Sequence, residues 1–264
     1  MRYRVPTLTI AGSDSSGGAG VQADLKTFSA IGTYGMSVIT AITAQNTQGV
    51  FLVEDLSKEI ISKQIEVVFE DIEPAAVKIG MVSSPEIIIE IVKSLKKYNP
   101  KYLVVDPVMI SKSGYSLLKP EAKKTLIEEL IPMAYIATPN TLEAEEITGI
   151  KIDTVEDMRE AGEKILELGP KYVLMKGGHL EGDAVDVLIG KDTFEIFTQE
   201  RLDRKNTHGT GCTISSAITA HLALGYDIKE AVALSKIYIT EAIRNSFDIG
   251  KGVGPVNHFY KFDK

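Results

Sequence analysis

The sequence predicts an α/β protein: a doubly wound, mostly parallel sheet with helices on both faces and an antiparallel hairpin at one edge. Three observations carry this. Short Val- and Ile-rich runs alternate with longer segments of helical period, the pattern of repeated right-handed crossovers. Most of these runs are continuously apolar, as strands covered on both faces are. Near the end, two apolar runs flank Gly190-Lys191-Asp192, which marks a hairpin.

In chain order, strands are expected at 7–11, 38–44, 75–79, 102–105, 134–137 and 172–175, with the hairpin at 184–189 and 194–197. Helices are expected between them at 19–30, 57–70, 85–98, 120–130, 142–147 and 155–168, and two more at 210–224 and 228–245. Ser84 before Pro85, and Asp153-Thr154 before Val155, pair a capping residue with a first helical turn. Gly149 and Gly169 stand where helices stop. No internal repeat or Ser- or Pro-rich linker divides the chain, so one domain over 1–264 is expected.

A chain of 264 residues with 44% hydrophobic and 25% charged residues can bury a core without disulfides. The formal charge of −7 argues against a basic face for nucleic acid or anionic lipid. The one cysteine, Cys212, cannot close an internal disulfide. No apolar run reaches membrane-spanning length and no signal peptide is evident. A cytoplasmic protein is expected.

Two glycine-rich turns precede helices. Ala11-Gly12-Ser13-Asp14-Ser15-Ser16-Gly17-Gly18-Ala19-Gly20 lets backbone approach a ligand and frees amides for an anion. Its spacing matches neither the dinucleotide fingerprint nor the phosphate loop, and a surface loop has the same composition. Thr207-His208-Gly209-Thr210-Gly211-Cys212-Thr213 points unpaired amides along the positive end of a helix dipole. A helix entry with an inert cysteine has the same pattern.

Asp106 ends one strand and Asn140-Thr141-Leu142-Glu143 follows the next, where ligands of open α/β sheets sit. Carboxylates there suit hydrated Mg²⁺ against phosphates, and Asn140 and Glu143 equally suit helix capping. Lys176, before Gly177-Gly178-His179, is placed either to balance phosphate charge or to end a strand in solvent. The four histidines show no zinc spacing.

Taken in order, several segments resemble the phosphomethylpyrimidine kinases of thiamine biosynthesis, within the ribokinase-like superfamily. They are Thr9 to Gly49, Lys78-Ile79-Gly80-Met81, Val105-Asp106-Pro107-Val108-Met109, Thr138-Pro139-Asn140, Lys176 to His179, Thr207 to Thr213 and Gly254-Pro255-Val256-Asn257-His258. The resemblance implies ATP-dependent phosphorylation of 4-amino-5-hydroxymethyl-2-methylpyrimidine, and then of its monophosphate to the diphosphate. It implies that Gln45 binds the pyrimidine in a pocket with Gly12, Asp24, Met81 and Val108. It assigns Asp106, Asn140, Glu143, Lys176 and Thr207 to ATP, its phosphates and Mg²⁺, and Gly209, Thr210, Gly211 and Cys212 to an anion hole. Most sugar kinases of the superfamily carry Asp where this chain has Cys212, and cysteine is typical of the vitamin-kinase branch. A homodimer without nucleic-acid or membrane partners is also implied.

A helix N-terminus beside a lysine lowers a thiol's pKa, so Cys212 is expected as a thiolate base, with Lys176 on the transferring phosphoryl. Ser111-Lys112-Ser113-Gly114 has the composition of a flap that closes over the site. Two other readings stay open: a pyridoxal kinase on the same fold, and a non-catalytic ligand sensor, in which the acid, lysine or anion hole would be lost.

Overall fold

The computed structural model describes residues 4–109, 114–115, 117–178, 180 and 182–263. Its centre is β1 (Pro6–Asp14), buried almost throughout because it pairs in parallel with β2 (Tyr34–Asn46) on one side and β4 (Ala76–Ile79) on the other. From β1 the chain runs through α1 (Gly20–Ile31) to β2 and turns into antiparallel β3 (Gly49–Asp55). Helix α2 (Lys58–Asp71) then returns it to β4, beyond the far side of β1. The sheet grows from there through α3 (Pro85–Tyr98), β5 (Leu103–Val105), α4 (Ala122–Thr125), β6 (Ile136–Ala137), α5 (Thr141–Thr148), α6 (Val155–Leu166) and β7 (Tyr172–Lys176).

The hairpin of β8 (Ala184–Gly190) and β9 (Thr193–Gln199) closes that edge, antiparallel to β7. Helices α7 (Thr210–Ala223) and α8 (Ile228–Arg244) follow. The nine strands stand in the order 3-2-1-4-5-6-7-8-9. The chain therefore leaves β1 in one direction and resumes in the other, which opens a crevice at the carboxyl ends of β1 and β4.

Why the central strands are apolar throughout is visible in their burial. Val105 packs with Ile88, Ile91 and Leu126 on one face, while Val104 packs with Ile214, Ile218 and Ile239 on the other. Neighbouring residues of a strand point to opposite faces, so both must be apolar. Helix starts follow local capping chemistry. Ser57 and Ser84 accept from Ile60 N–H and Ile87 N–H, and Asn140–Glu143, Thr154–Asp157 and Asp227–Glu230 form reciprocal capping boxes.

One strand is added and one helix changes. Strand β3, which is not among the expected strands, pairs with the second strand beyond a short turn. The helix expected over 120–130 is α-helical only in α4. It widens to a π-turn at Leu126–Leu130 and tightens to a 3₁₀ turn at Ile131–Met133. Pro132 has no N–H to return to Glu128, so the α pattern cannot continue through it.

Candidate active site

The first glycine-rich turn is organised by Asp14 at the end of β1. Its Oδ1 accepts from the Ser16 N–H (2.8 Å) and hydroxyl (2.7 Å), and its Oδ2 from the amides of Gly18 (3.1 Å) and Ala19 (2.8 Å). His208 Nε2 donates to the same Oδ2 at 3.0 Å. Burial pushes the Asp14 carboxyl up, but the His208 and Ser16 side chains and the amides of Ser16 and Ala19 outweigh it and hold it at about 2. The second glycine-rich turn lies against the first. A Cβ at Gly209, where φ is +81°, would fall 1.8 Å from Gly18 O.

That contact brings the starts of α1 and α7 together. Thr213 N–H finds the Gly209 carbonyl at 2.9 Å, and the amides of Gly211 and Cys212 before it point out of the helix. A Cβ at Gly211 would touch Lys176 Nζ at 3.5 Å and Asp106 Oδ2 at 3.8 Å. Lys176 Nζ donates to Asp106 Oδ1 at 2.8 Å, and Thr138 (3.2 Å to Oδ1) and Ser215 (3.2 Å to Oδ2) donate to the same carboxylate. Burial pushes Asp106 up, but the charges of Lys176 and Lys78 outweigh it and keep it below the usual range. Lys176 is correspondingly held above the usual lysine range, against burial, chiefly by Asp106 and Glu143.

Glu143 caps α5, accepting from Asn140 N–H at 2.8 Å while Asn140 Oδ1 accepts from Glu143 N–H at 2.9 Å. The capping reading of this pair is thus what the structure contains. Burial pushes Glu143 up to about 7, and the Asp106 charge adds to the rise against Lys176. Two buried carboxylates that repel one another suit a divalent cation. Among the described residues no three His, Cys, Asp or Glu side chains are grouped to chelate a metal. The donor set therefore fits Mg²⁺ held in part by water and substrate oxygens.

On the other side of the crevice, Gly12 leaves room for Met81, whose Sδ would lie 2.9 Å from a Cβ there. Gln45, next to the last residue of β2, is half-buried, its backbone locked to Ser15 by a bond in each direction (2.8 and 2.9 Å). Its side-chain Oε1 lies 3.2 Å from Thr43 Oγ1 and its Nε2 3.3 Å from His208 Nε2. Val108 is half-buried just after Asp106, and the carbonyl of half-buried Thr207 accepts the Thr210 hydroxyl at 2.8 Å.

Two expectations need correction. Asp24 does not line an open pocket. It is fully buried, with both oxygens on Lys78 Nζ (2.8 and 2.9 Å) and further bonds from Thr9 and Ser216 (both 2.6 Å). Cys212 is not a ready thiolate. Burial pushes its thiol up to about 11, with Asp24 and Asp106 adding to the rise, and neither Lys78 nor the Gly20 amide offsets this. The expected flap lies outside the described residues except for Gly114, and so does His179.

Sequence reasoning missed Lys78, Ser215 and Ser216 and gave no role to Asp14, Thr138 or His208. For the two serines the signal was available: they stand three and four residues after Cys212, on its own face of the helix.

The model of the phosphomethylpyrimidine kinase family matches residues 14–257. A hydroxymethylpyrimidine/phosphomethylpyrimidine kinase of Rhizobium meliloti is 52% identical over 262 residues, covering 97% of this chain and 98% of that protein. A crystal structure of the phosphomethylpyrimidine kinase of Clostridium difficile is 75% identical, with a TM-score of 0.83 over 91% of this chain and 100% of that one. The ADP complex of a Bacillus subtilis pyridoxal kinase is 41% identical, with a TM-score of 0.89 over 97% of this chain and 98% of that one. With its switch-point crevice, paired helix starts and these relatives, the chain belongs to the phosphomethylpyrimidine kinase family.

Proposed function

We propose that this chain transfers the γ-phosphoryl of ATP to the hydroxymethyl oxygen of 4-amino-5-hydroxymethyl-2-methylpyrimidine, and then to its monophosphate, in thiamine biosynthesis. The observation that carries this reading is the Lys176–Asp106 pair set against the open amides of α7. Phosphoryl transfer asks chiefly for positioning and charge stabilisation. The amides of Gly211 and Cys212 receive the transferring oxygens, aided by Gly209 and Thr210, which shape the turn. Lys176 adds a positive charge beside them, and Asp106 fixes the lysine.

Asn140 and Thr207 belong to the nucleotide side. Mg²⁺ supplies neutralisation of phosphate charge when bound, and Asp106 and Glu143 are the residues that would hold it through water. Gln45 reads the pyrimidine edge, with Gly12, Met81 and Val108 around the ring. Asp24 acts from behind this wall, through Lys78. Cys212 contributes its amide, and a loose transition state asks little of a base. A homodimer, implied by the resemblance, is tested by light scattering against a chain mass of 28.7 kDa.

The higher identity to a pyrimidine kinase than to a pyridoxal kinase favours the pyrimidine, since the fold is common to both. Parallel ADP-release assays with Mg²⁺-ATP and either substrate decide it. The expected result is a kcat/KM at least about tenfold higher for the pyrimidine, the discrimination a few mismatched polar contacts provide. An equal or inverted ratio refutes the assignment.

A further inference from the structure

The Gln45 amide is held at both ends, and its hydrogen-bond chemistry fixes which way round it sits. With Oε1 toward Thr43 and Nε2 toward His208, the first contact has only a shared proton and the second sets donor against donor. The Thr43 hydroxyl has one proton, already donated to Ser13 O at 2.8 Å. His208 Nε2 must carry a proton, because the Asp14 carboxylate 3.0 Å away can only accept. A protonated ring nitrogen cannot also accept from an amide N–H. Half a turn of the amide relieves both contacts together: Nε2 donates to Thr43 Oγ1, and Oε1 becomes a second acceptor of the one His208 Nε2–H, shared with Asp14 Oδ2. Amide oxygen and nitrogen have the same shape, so the network selects between them.

His208 is itself firmly seated. Its backbone N–H donates to Gly254 O at 3.0 Å and its carbonyl accepts from Val256 N–H at 3.3 Å. Its ring lies on Gly18, where a Cβ would come within 2.4 Å of Cδ2. Asp14, behind it, is fixed in turn by Ser16, Gly18 and Ala19.

We infer that His208 is a specificity-determining positioning residue, which, with Thr43 at the other end, locks the Gln45 amide so that the site accepts a 4-aminopyrimidine edge and rejects a 4-oxopyrimidine. The inference rests on the reading of Gln45 as the residue that binds the pyrimidine. After its two protein contacts, the amide keeps one oxygen lone pair and one N–H on its outer edge. The 4-amino group donates to that oxygen and ring N3 accepts from that N–H. A 4-oxo ring presents the reverse order, an acceptor oxygen beside an N3–H donor. An unrestrained glutamine would turn over to meet it. A locked one meets it with mismatched polar groups, which costs about 5- to 150-fold in affinity.

The test is calorimetric titration of the full chain with the 4-amino pyrimidine and with its 4-oxo counterpart. The wild type is expected to favour the amino compound by at least about tenfold, within that range. His208→Leu removes the donor, and the preference should fall at least fivefold, mainly because the oxo compound gains. Thr43→Val frees the other end and should lower the preference less. A general loosening would weaken both ligands in parallel, so an unchanged ratio in both variants overturns the inference and leaves the proposed function standing. Wild-type protein that binds neither compound overturns both. In the free protein, ¹⁵N NMR should find His208 protonated at Nε2, and a ring protonated only at Nδ1 removes the lock whatever the variants do.

Discussion

Two lysine–aspartate pairs of equal length flank this crevice, one behind its wall and one open to it, and their surroundings give them different work. Lys78–Asp24 and Lys176–Asp106 are both 2.8 Å long. The first is sealed, with neither side chain exposed, and Thr9 and Ser216 occupy the remaining faces of its carboxylate. Gly80 has no room for a side chain because Lys78 Nζ lies across it. The second keeps its lysine 12% exposed, beside the amides that begin α7. A buried pair gains little overall unless further hydrogen bonds satisfy it. Closed on all sides, such a pair is a structural joint. Left open toward unpaired amides, it is equipment for an anion.

The sealed pair should give the larger effect on stability. Lys78→Met strands a buried carboxylate and should cost about 3–5 kcal/mol in urea unfolding. Lys78→Met with Asp24→Asn should recover part of that loss, since the stranded charge is gone. A single variant as stable as wild type would dissolve the contrast between the pairs.

Lys176→Ala should act on turnover instead, lowering it by about 10²–10³ while pyrimidine affinity changes little. Asp106 would keep Thr138, Ser215 and the nearby Lys78 charge, and the partly exposed position of Lys176 admits water, so the loss of stability should be smaller than at Lys78. Calorimetry showing lost pyrimidine affinity, with turnover at saturation intact, would put the lysine on the wrong side of the crevice.

The open pair was legible in the sequence and the sealed one was not, for a physical reason. Strand ends, helix caps and glycine turns are local, so Asp106, Asn140, Lys176 and the turn at Gly209 could be placed from short patterns. Lys78 stands in a four-residue apolar strand and meets Asp24 across 54 residues, a pairing that no local pattern encodes. Asp14 and His208 are 194 residues apart. Strand β3 was missed because Val50-Phe51-Leu52-Val53 lacks the alternation of a half-exposed strand, although Phe51 and Leu52 are in fact exposed. The thiol of Cys212 was misjudged because helix position is local, whereas desolvation is a property of the whole packed site.

Acid separates charge that is held in the crevice from charge that is kept out of the core. Burial pushes His221 and His258 down to about 4 from an ordinary value of 6.5. A depressed folded pKa means that the unfolded chain binds protons first. Each histidine therefore contributes stability that is complete above pH 6.5 and is lost as pH falls through 4, up to about 3 kcal/mol. Melting temperature should fall steadily across that window, and His258→Gln should flatten the slope. An unchanged slope in this variant would mean that His258 takes up its proton as readily in the fold as in the unfolded chain.

The smallest effect is expected at Cys212, and it tests how far the sealed pair is electrically closed. The Gly20 amide and Lys78 favour the thiolate, while burial, Asp24 and Asp106 oppose it and prevail. With the thiol pushed up to about 11, only a small minority of molecules carries a thiolate at pH 7.5. A base that scarce adds little, so Cys212→Ser should keep turnover within about tenfold, below the 10²–10⁴ expected of a general base. Iodoacetamide labelling, which reports on this chain's one cysteine, should be slow at neutral pH and should keep accelerating toward pH 11. Suppose instead that labelling levels off below pH 8 and the serine variant loses a hundredfold or more. Lys78 would then be acting on the sulfur more strongly than Asp24 screens it, and the pair that looks closed would belong to the chemistry of the site.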